Sequence, residues 1–472
     1  MIRKILIANR GEIAVRIVRA CSELGIVSVA IYTDTDRHAL HVKKADEAYN
    51  IGSDPVQGYL NAHNIVNLAV ASGCDALHPG YGFLSENPLL AEICARRGIC
   101  FIGPNADVIR MMGDKIQARN AMIRAGIPVV PGCDHSLEHV EEACQIAAEI
   151  GYPVMLKATN GGGGRGIRRC NSEAELLKNY DRVVSEATKA FGQPEVFVEK
   201  CVVNPRHIEV QILADQQGNT IHLFERDCSI QRRNQKLIEI APSPQITDAQ
   251  RHYIGKLAVT AARAVNYENA GTVEFLLDAD NQFYFMEMNT RLQVEHTITE
   301  TITGVDIVQE QIRIASGLPL QYQQQDIQYR GYAMEFRINA EDPKNGFLPS
   351  FGRITRYYAP GGPGVRTDAA MYSGYVIPPY YDSMCAKLTV WNLTWDSVIK
   401  RGRRALNDMV VFGVKTTIPY YLEILANEEF KAGHFDTSFV ETHPELINYT
   451  IGAPPEMLAA AIAAAIAANN GL

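Results

Sequence analysis

Hydrophobic and polar positions in the first hundred residues alternate between two periods. Lys4–Ala8 and Val27–Tyr32 are short apolar runs typical of buried strands, and Glu12–Leu24 carries apolar residues at helical spacing. Further strand signals end near His78 and Phe101. Because strands and helices alternate, we predict a parallel, doubly wound sheet.

The remainder of the chain has longer helices and more closely spaced strands. From about Met112 the pattern predicts helices over Lys115–Ala125 and Leu137–Ile150. Strands are predicted over Pro153–Lys157, Val196–Glu199, His207–Ala214, Ile221–Asp227, Gly271–Leu277 and Gln282–Asn289. A third region, from Gly331 to about Tyr449, is rich in β-prone runs and Gly/Pro turns. An Ala/Ile-rich, helix-prone tail follows.

Composition limits the function classes. The 472 residues, 47% apolar and 21% charged, predict a soluble globular protein of two to four domains. A net charge of -8 argues against a surface for nucleic acid or anionic membranes. No apolar run approaches the roughly 18 residues of a membrane span, and no signal peptide is recognisable. The ten cysteines are scattered without a CxxC pair, so we expect a cytoplasmic protein with reduced thiols.

Two carboxylates are predicted to face each other on a hairpin. A four-residue loop over Ala279–Gln282 sets Asp278 opposite Phe283, and counting outward places Glu274 opposite Glu287. Facing carboxylates repel each other, but a magnesium ion takes oxygen ligands and would turn the pair into a site. The alternative is the exposed face of a solvated hairpin.

A glycine-rich stretch provides a second local signal. Gly161–Gly164 lies between the apolar run that ends in Lys157 and a strand-like run from Ile167. Glycine N–H groups can close on a phosphate chain, so we predict a hairpin lid, with a flexible linker as the alternative. No Gly-Lys-Ser/Thr follows, and the turn Ala8–Glu12 lacks GxGxxG, which disfavours Walker and nicotinamide sites. Lys115, at a helix start, is weak evidence on its own.

Short motifs occur in order over roughly residues 2–445. They read IANRGEIAVRI, HPGYGFLSEN, GDK, KATNGGGGRG, EK, NPRHIE, ERDCSIQRR, QK, APSP, GTVEFL, MEMNTRLQVEH, FRINAED, FLPS and YYDSM. In these motifs the chain resembles the biotin carboxylase family of ATP-grasp enzymes.

The resemblance implies an α/β and α+β multidomain fold. A Rossmann-like N-terminal (pre-ATP-grasp) domain is expected over 1–112, followed by an ATP-grasp domain over 113–330. The latter includes a glycine-loop lid subdomain at about 130–203. A biotin carboxylase C-terminal domain is expected over 331–447 and the Ala-rich tail over 448–472.

The resemblance also assigns site residues. ATP contacts are expected from Lys115, Lys157, Gly162, Gly163, Gly164, Glu199, Lys200, Val202, His207, Gln231, Asn234 and Leu276. The metal ligands are expected to be Glu274 and Glu287, with Asn289 beside a second metal position. Bicarbonate would contact Lys236, Arg291, Gln293 and the Val294 backbone. Glu295 would deprotonate bicarbonate, and Arg337 would stabilise the biotin enolate.

The implied activity is that of a ligase. With ATP and Mg²⁺ or Mn²⁺, bicarbonate would carboxylate biotin through carboxyphosphate. No Met-Lys-Met biotinylation string occurs, so the biotin is expected on a partner, a carboxyltransferase and biotin carboxyl carrier subunit. The resemblance also suggests a homodimer, to which Arg19 and Glu23 could contribute.

The subtype is suggested by finer features. Asn234 replaces a histidine common in acetyl-CoA carboxylases, and together with Phe412–Ile418 and the tail it resembles the biotin carboxylase subunit of two-subunit pyruvate carboxylases, which serve oxaloacetate synthesis. The alternatives are the corresponding subunit of acetyl-CoA or propionyl-CoA carboxylase and, in a different class, a non-catalytic nucleotide-binding regulatory protein.

Overall fold

The computed structural model describes residues 2–159, 166–191, 195–450 and 455–469. The first part is a parallel sheet in the order β3-β2-β1-β4-β5. Its strands are β1 (Lys4–Ile7), β2 (Val27–Tyr32), β3 (Glu47–Asn50), β4 (Ala76–His78) and β5 (Cys100–Phe101). The helices are α1 (Gly11–Glu23), α2 (Leu40–Lys44), α3 (Gln57–Leu60), α4 (Ala62–Ala71), α5 (Pro88–Arg96), α6 (Ala106–Gly113) and α7 (Lys115–Arg124). The predicted parallel sheet is thus present.

A small three-stranded sheet follows, in the order β7-β6-β8. It consists of β6 (Val154–Ala158), β7 (Ile167–Cys170) and β8 (Val196–Lys200), with α8 (Val140–Ile150) and α9 (Glu173–Phe191). The strands β6 and β7 pair antiparallel, as a hairpin does. The predicted phosphate-binding glycines Gly162, Gly163 and Gly164, which lie between them, are outside the described residues.

The central sheet has eight strands in the order β13-β12-β9-β10-β11-β14-β21-β19. Its first five strands are β9 (Arg206–Ala214), β10 (Thr220–Arg232), β11 (Gln235–Ala241), β12 (Asn269–Leu277) and β13 (Phe283–Asn289). The others are β14 (Tyr332–Asn339), β19 (Val365–Ala369) and β21 (Met384–Asn392). Since β11 pairs with β14, the sheet continues across the boundary expected near residue 330.

Helices cover the central sheet. They are α10 (Asp248–Ala264), α11 (His296–Thr303), α12 (Ile307–Ala315), α13 (Trp395–Asp408), α14 (Ile418–Ile424), α15 (Glu428–Lys431) and α16 (Phe439–Thr442). Short strands complete the third region: β15 (Glu341–Asp342), β16 (Leu348–Pro349), β17 (Gly352–Arg353), β18 (Arg356–Tyr358), β20 (Val376–Ile377) and β22 (Val410–Phe412). The helix-prone tail forms α17 (Pro455–Asn469). Among the described helices, none is long and apolar enough to cross a membrane.

The hairpin of β12 and β13 reaches the predicted pairing by a different route. Glu274 does lie opposite Glu287, but Leu277, not Asp278, is opposite Phe283. The register then shifts between Glu274 and Phe275, where β13 carries one extra residue. A one-residue slip reverses the faces of a strand, and this bulge reverses them again. The predicted turn was therefore wrong by one residue and the facing carboxylates were right.

A two-residue turn joins β10 to β11. Arg232 pairs with Gln235, and both Arg233 (φ 50°) and Asn234 (φ 63°) have left-handed backbone conformations. Asparagine tolerates this conformation better than most residues. The turn therefore gives Asn234 a backbone role that its sequence motif did not reveal.

One buried ion pair ties α10 to the central sheet. Arg251 Nε donates to both carboxylate oxygens of Glu225, at 2.9 and 3.0 Å. Burial raises the pKa of Glu225, although Arg251 acts in the opposite direction. Loss of the guanidinium would leave a buried carboxylate without its counter-charge.

We therefore expect Arg251→Met to destabilise the protein by about 3–5 kcal/mol, because an unpaired buried charge remains. Urea unfolding at pH 7 measures the change. The matched control is the double variant Glu225→Gln/Arg251→Met, which removes both charges and should lose less. Equal losses in the two variants would contradict the explanation.

Candidate active site

A buried cluster of polar side chains forms where strands of the central sheet approach the first turn of α11. Alternation along β9 directs two of its residues to the same side of the sheet. The cluster consists of His207, Glu209, Lys236, Glu274, Asn289, Arg291, Gln293, Glu295 and Arg337. The structure thus brings together the predicted metal, bicarbonate and catalytic positions from β9, β11, β12, β13, β14 and the segment before α11.

Lys236 is the common cation of the cluster. Its Nζ donates to Glu209 at 2.5 Å, to Glu295 at 2.7 Å and to Glu274 at 3.0 Å. Burial acts to lower the pKa of Lys236, but Cys228 and the three carboxylates raise it well above its ordinary value. The ammonium therefore stays charged and uses all three donors on carboxylates.

Glu274 accepts hydrogen bonds from several side chains besides Lys236. His207 Nε2 lies 2.7 Å from Oε2, while the amides of Asn289 and Gln293 donate to Oε1 at 2.8 and 3.0 Å. Burial acts to raise the pKa of Glu274, but Lys236 and His207 hold it far below its ordinary value. Glu274 is therefore held as an anion.

Glu295 is the fully buried residue immediately before α11. It accepts from Lys236 on Oε1 and, at 3.0 Å, from Arg337 Nη2 on Oε2. Burial opposes ionisation, but Lys236, Arg337 and Arg226 keep the pKa of Glu295 well below its ordinary value. A carboxylate held between two cations can accept a proton from an anion that enters the same positive field.

Arg291 extends the cluster towards the N-terminal region. Its Nε donates to Glu86 at 2.7 Å, its Nη1 to Gln293 at 3.0 Å and its Nη2 to Asn289 at 3.1 Å. Burial lowers and Glu86 raises the pKa of Arg291, with a net increase. The guanidinium is thus oriented by the N-terminal region and directed along the strip from the metal pair to Glu295.

Arg337 has a second carboxylate partner. Its Nε donates to Glu239 at 2.5 Å, and the other oxygen of Glu239 has no hydrogen-bond partner among the described residues. Burial raises the pKa of Glu239 to about 8 despite Arg337. Arg337 therefore lies between a carboxylate held ionised, Glu295, and one that readily takes a proton.

Two buried residues beneath the cluster had no predicted role. Arg226 is fully buried and donates to Glu209 at 2.5 Å and to Gln211 at 2.7 Å. Glu209 in turn accepts from Lys236. The alternation His207, Glu209, Gln211 along one strand face could have indicated this supporting layer.

Lys115, the first residue of α7, links the carboxylate pair to the three-stranded sheet. Its Nζ donates to Glu287 at 3.0 Å, and its backbone N–H donates to Thr159, just after β6, at 3.3 Å. Burial acts to lower the pKa of Lys115, while Glu287, Glu199 and Glu274 raise it overall. A cation therefore lies between the predicted metal ligands and the predicted lid.

The three-stranded sheet holds its own charged residues. Lys157 and Glu199, on β6 and β8, form an ion pair. Lys200 donates to the carbonyl oxygens of Gly151 at 2.8 Å and Tyr152 at 3.2 Å. These predicted ATP contacts lie on one sheet, and Lys200 supports the chain that enters it.

Other predicted ATP positions stand apart from the charge cluster. Val202 follows β8 and is partly exposed, while Leu276 pairs in register with His207. Gln231 is buried on β10. Asn234 is exposed in the β10–β11 turn, so a role in ATP binding depends on that turn.

A metal ion could be held by two sets of residues. Glu274, Glu287 and Asn289 offer the oxygen ligands that magnesium prefers. His207, Glu209 and Glu274 also bring one ligand atom each within 4.8 Å of one another. Lys236 donates to both carboxylates of this second set, so a cation already neutralises it. The first set fits magnesium better.

Three family sequence models match the chain in succession. Biotin carboxylase, N-terminal domain, matches residues 1–109. Carbamoyl-phosphate synthase L chain, ATP binding domain, matches 114–323. Biotin carboxylase C-terminal domain matches 335–442. Fold and site together define an ATP-dependent ligase of the ATP-grasp class, which confirms the predicted fold class.

Relatives identify the family within that class. The 2-oxoglutarate carboxylase small subunit of Hydrogenobacter thermophilus is 55% identical over 472 residues, 100% of both chains. One pyruvate carboxylase subunit of Methanothermobacter thermautotrophicus is 53% identical over 444 residues, 94% of this chain and 90% of that one. The chain belongs to the biotin carboxylase family and is the biotin carboxylase subunit of a biotin-dependent carboxylase.

A solved structure agrees closely with the fold. It is the biotin carboxylase domain dimer of the Hydrogenobacter thermophilus 2-oxoglutarate carboxylase, in complex with magnesium ADP, ADP and bicarbonate. The TM-score is 0.94 at 56% identity, with 96% of this chain and 100% of that chain covered.

Removal of the common cation should destabilise the site in a pH-dependent way. We expect Lys236→Met to lose about 3–5 kcal/mol at pH 7, because three carboxylates lose their counter-charge. Lowered carboxylate pKa values in the folded state stabilise it above the ordinary value of 4.5 and lose that effect as the pH falls. The difference from wild type should therefore shrink below pH 4.5. Denaturant titrations between about pH 3.5 and 7 measure it, and a difference that is constant across this range would contradict the explanation.

Proposed function

We propose that Glu295 is the base that removes the proton from bicarbonate. The observation that carries this proposal is the position of Glu295 between Lys236 and Arg337, which keeps the carboxylate ionised at the end of the Arg291–Gln293 strip. Bicarbonate is a poor nucleophile until it loses its proton. Cations that already surround the base stabilise the dianion that forms.

The neighbouring side chains divide the binding work. Lys236, Arg291, Gln293 and the Val294 backbone bind and orient bicarbonate. Arg337 then stabilises the negative charge that develops on the biotin ureido oxygen when its nitrogen is deprotonated. Both roles need cations fixed in advance, and buried carboxylates hold these guanidinium and ammonium groups in position.

The ATP end of the site is assigned to the other predicted positions. Glu274 and Glu287, with Asn289, hold Mg²⁺ or Mn²⁺, which neutralises phosphate charge when bound. Lys115 and His207 contact the nucleotide together with Lys157, Gln231 and Asn234. The β6–β7 glycines close over it, and Glu199, Lys200, Val202 and Leu276 surround the base. The domain limits expected from the family resemblance form part of this proposal.

The accepting substrate is proposed to be pyruvate, with oxaloacetate as the product of the assembled enzyme. Asn234 and the tail support this subtype, as does similarity to the pyruvate carboxylase subunit of Methanothermobacter thermautotrophicus. A second candidate is 2-oxoglutarate, because the relative named for that substrate matches from end to end, including the tail. Both substrates are 2-oxo acids, and both require a separate biotin carrier and carboxyltransferase subunit. The assembly of this chain is proposed to be a homodimer.

Replacement of Glu295 tests the proposed base. We expect Glu295→Gln to lower bicarbonate- and biotin-dependent ATP cleavage by about 100-fold or more, because the amide cannot accept the proton. ADP binding, measured by calorimetry, should be retained. Turnover close to wild type in a folded variant would refute the role as base.

The subtype is tested with the enzyme purified from its source together with its associated subunits. We expect labelled bicarbonate to enter oxaloacetate when pyruvate is supplied, and the isolated chain to cleave ATP with free biotin but to form no oxaloacetate. Label incorporated only with 2-oxoglutarate would support the second candidate. Label incorporated only with acetyl-CoA or propionyl-CoA would overturn both.

A further inference from the structure

A fully buried lysine on β21 reaches the backbone beside the proposed base. Lys387 has no exposed side-chain surface. In the central sheet it lies between Arg337 on β14 and Asp368 on β19 as their register partner. A buried ammonium is costly unless charged or polar groups receive its protons. Its contacts therefore indicate what it does.

The hydrogen bond of Lys387 goes to one particular carbonyl. Its Nζ donates to the main-chain oxygen of Val294 at 2.7 Å. That oxygen belongs to the peptide group joining Val294 to Glu295. Holding this group restrains ψ of Val294 and φ of Glu295, and hence the direction of the Glu295 side chain. Lys387 is thus attached to the backbone of the proposed base.

Glu12 of α1 is the carboxylate behind the lysine. Its Oε1 lies 3.4 Å from Lys387 Nζ, and neither oxygen accepts a hydrogen bond from any other described residue. The nearby carboxylates are committed elsewhere. Asp368 pairs with Arg366 at 2.6 Å, and Glu335 accepts from Thr297.

The pair joins two regions distant in sequence. Glu12 belongs to the helix of the first parallel β–α unit, and Lys387 to the region after residue 331. Their meeting point is the peptide before α11. Packing of α1 against the central sheet and the orientation of the proposed base therefore depend on one buried charge pair.

We propose that Lys387, supported by Glu12, is a positioning residue for bicarbonate activation. It fixes the Val294–Glu295 peptide so that the Glu295 carboxylate and the Val294 backbone face the bicarbonate site together. The inference rests on the proposed role of Glu295. It extends the working parts of the site to two residues that do not touch the reacting atoms.

The test compares steady-state constants of purified full-length variants, assayed with free biotin. Lys387→Met keeps a side chain of similar length but cannot donate. We expect kcat/KM for bicarbonate to fall about 100-fold, since small misplacements of a reacting group have effects of this size. KM for ATP should stay within about twofold of wild type, because the change lies away from the nucleotide positions. Glu12→Gln should cause a smaller fall in the same constant.

Two further variants separate positioning from general destabilisation. Arg251→Met removes a buried cation of another ion pair and should lower the melting temperature without changing KM for bicarbonate. The double variant Glu12→Gln/Lys387→Met should match Lys387→Met within about twofold, because residues that act as a unit are not additive. An independent fall in the double variant would contradict the coupling.

A folded Lys387→Met variant with wild-type kcat/KM for bicarbonate would overturn the inference. If this variant does not fold, Glu12→Gln carries the test, and an unchanged bicarbonate constant there overturns it equally. The wild-type assay stands separately. Absence of bicarbonate-dependent ATP cleavage in the wild-type chain would reject the proposed function itself, whereas normal wild-type activity with unaffected variants would reject only the positioning role.

Discussion

The structure depends on one electrostatic constraint, the burial of several carboxylates around very few cations. Lys236 alone receives Glu209, Glu274 and Glu295 within 3.0 Å. Each charge would be costly to bury by itself, and each is tolerated only while its partners stay in place. Because these residues come from β9, β11, β12 and the segment before α11, the register of the central sheet and the charge balance of the site require each other.

A second layer extends the same constraint outward. Arg226 supports Glu209 from below, Glu239 supports Arg337, and Glu86 holds Arg291 from the N-terminal region. Fixed cations of this kind stabilise a developing negative charge without reorganising during the reaction. The sheet, the first parallel unit and the region after residue 331 thus each provide counter-charges for one site.

Local periodicity was enough to predict much of this fold, and spacing was enough to predict part of the site. The parallel sheet and the facing Glu274–Glu287 pair could be predicted because strand alternation is a local property. The bulge in β13 could not, since a register shift of one residue leaves no mark in a short apolar run. Lys387 was missed for a different reason. It is far from Glu295 in sequence, and only the pairing of β21 with β14 brings it near.

The paired state of Glu295 also has a consequence for the proposed chemistry. Lys236 and Arg337 both donate to this carboxylate before any substrate is present. When Glu295 takes a proton from bicarbonate, it loses the charge that held these donors, and the substrate gains it. The total charge of the pocket is unchanged, so the two cations can transfer their hydrogen bonds from the base to the new dianion. A base held by the same cations that stabilise its product therefore needs no additional counter-charge at the moment of proton transfer.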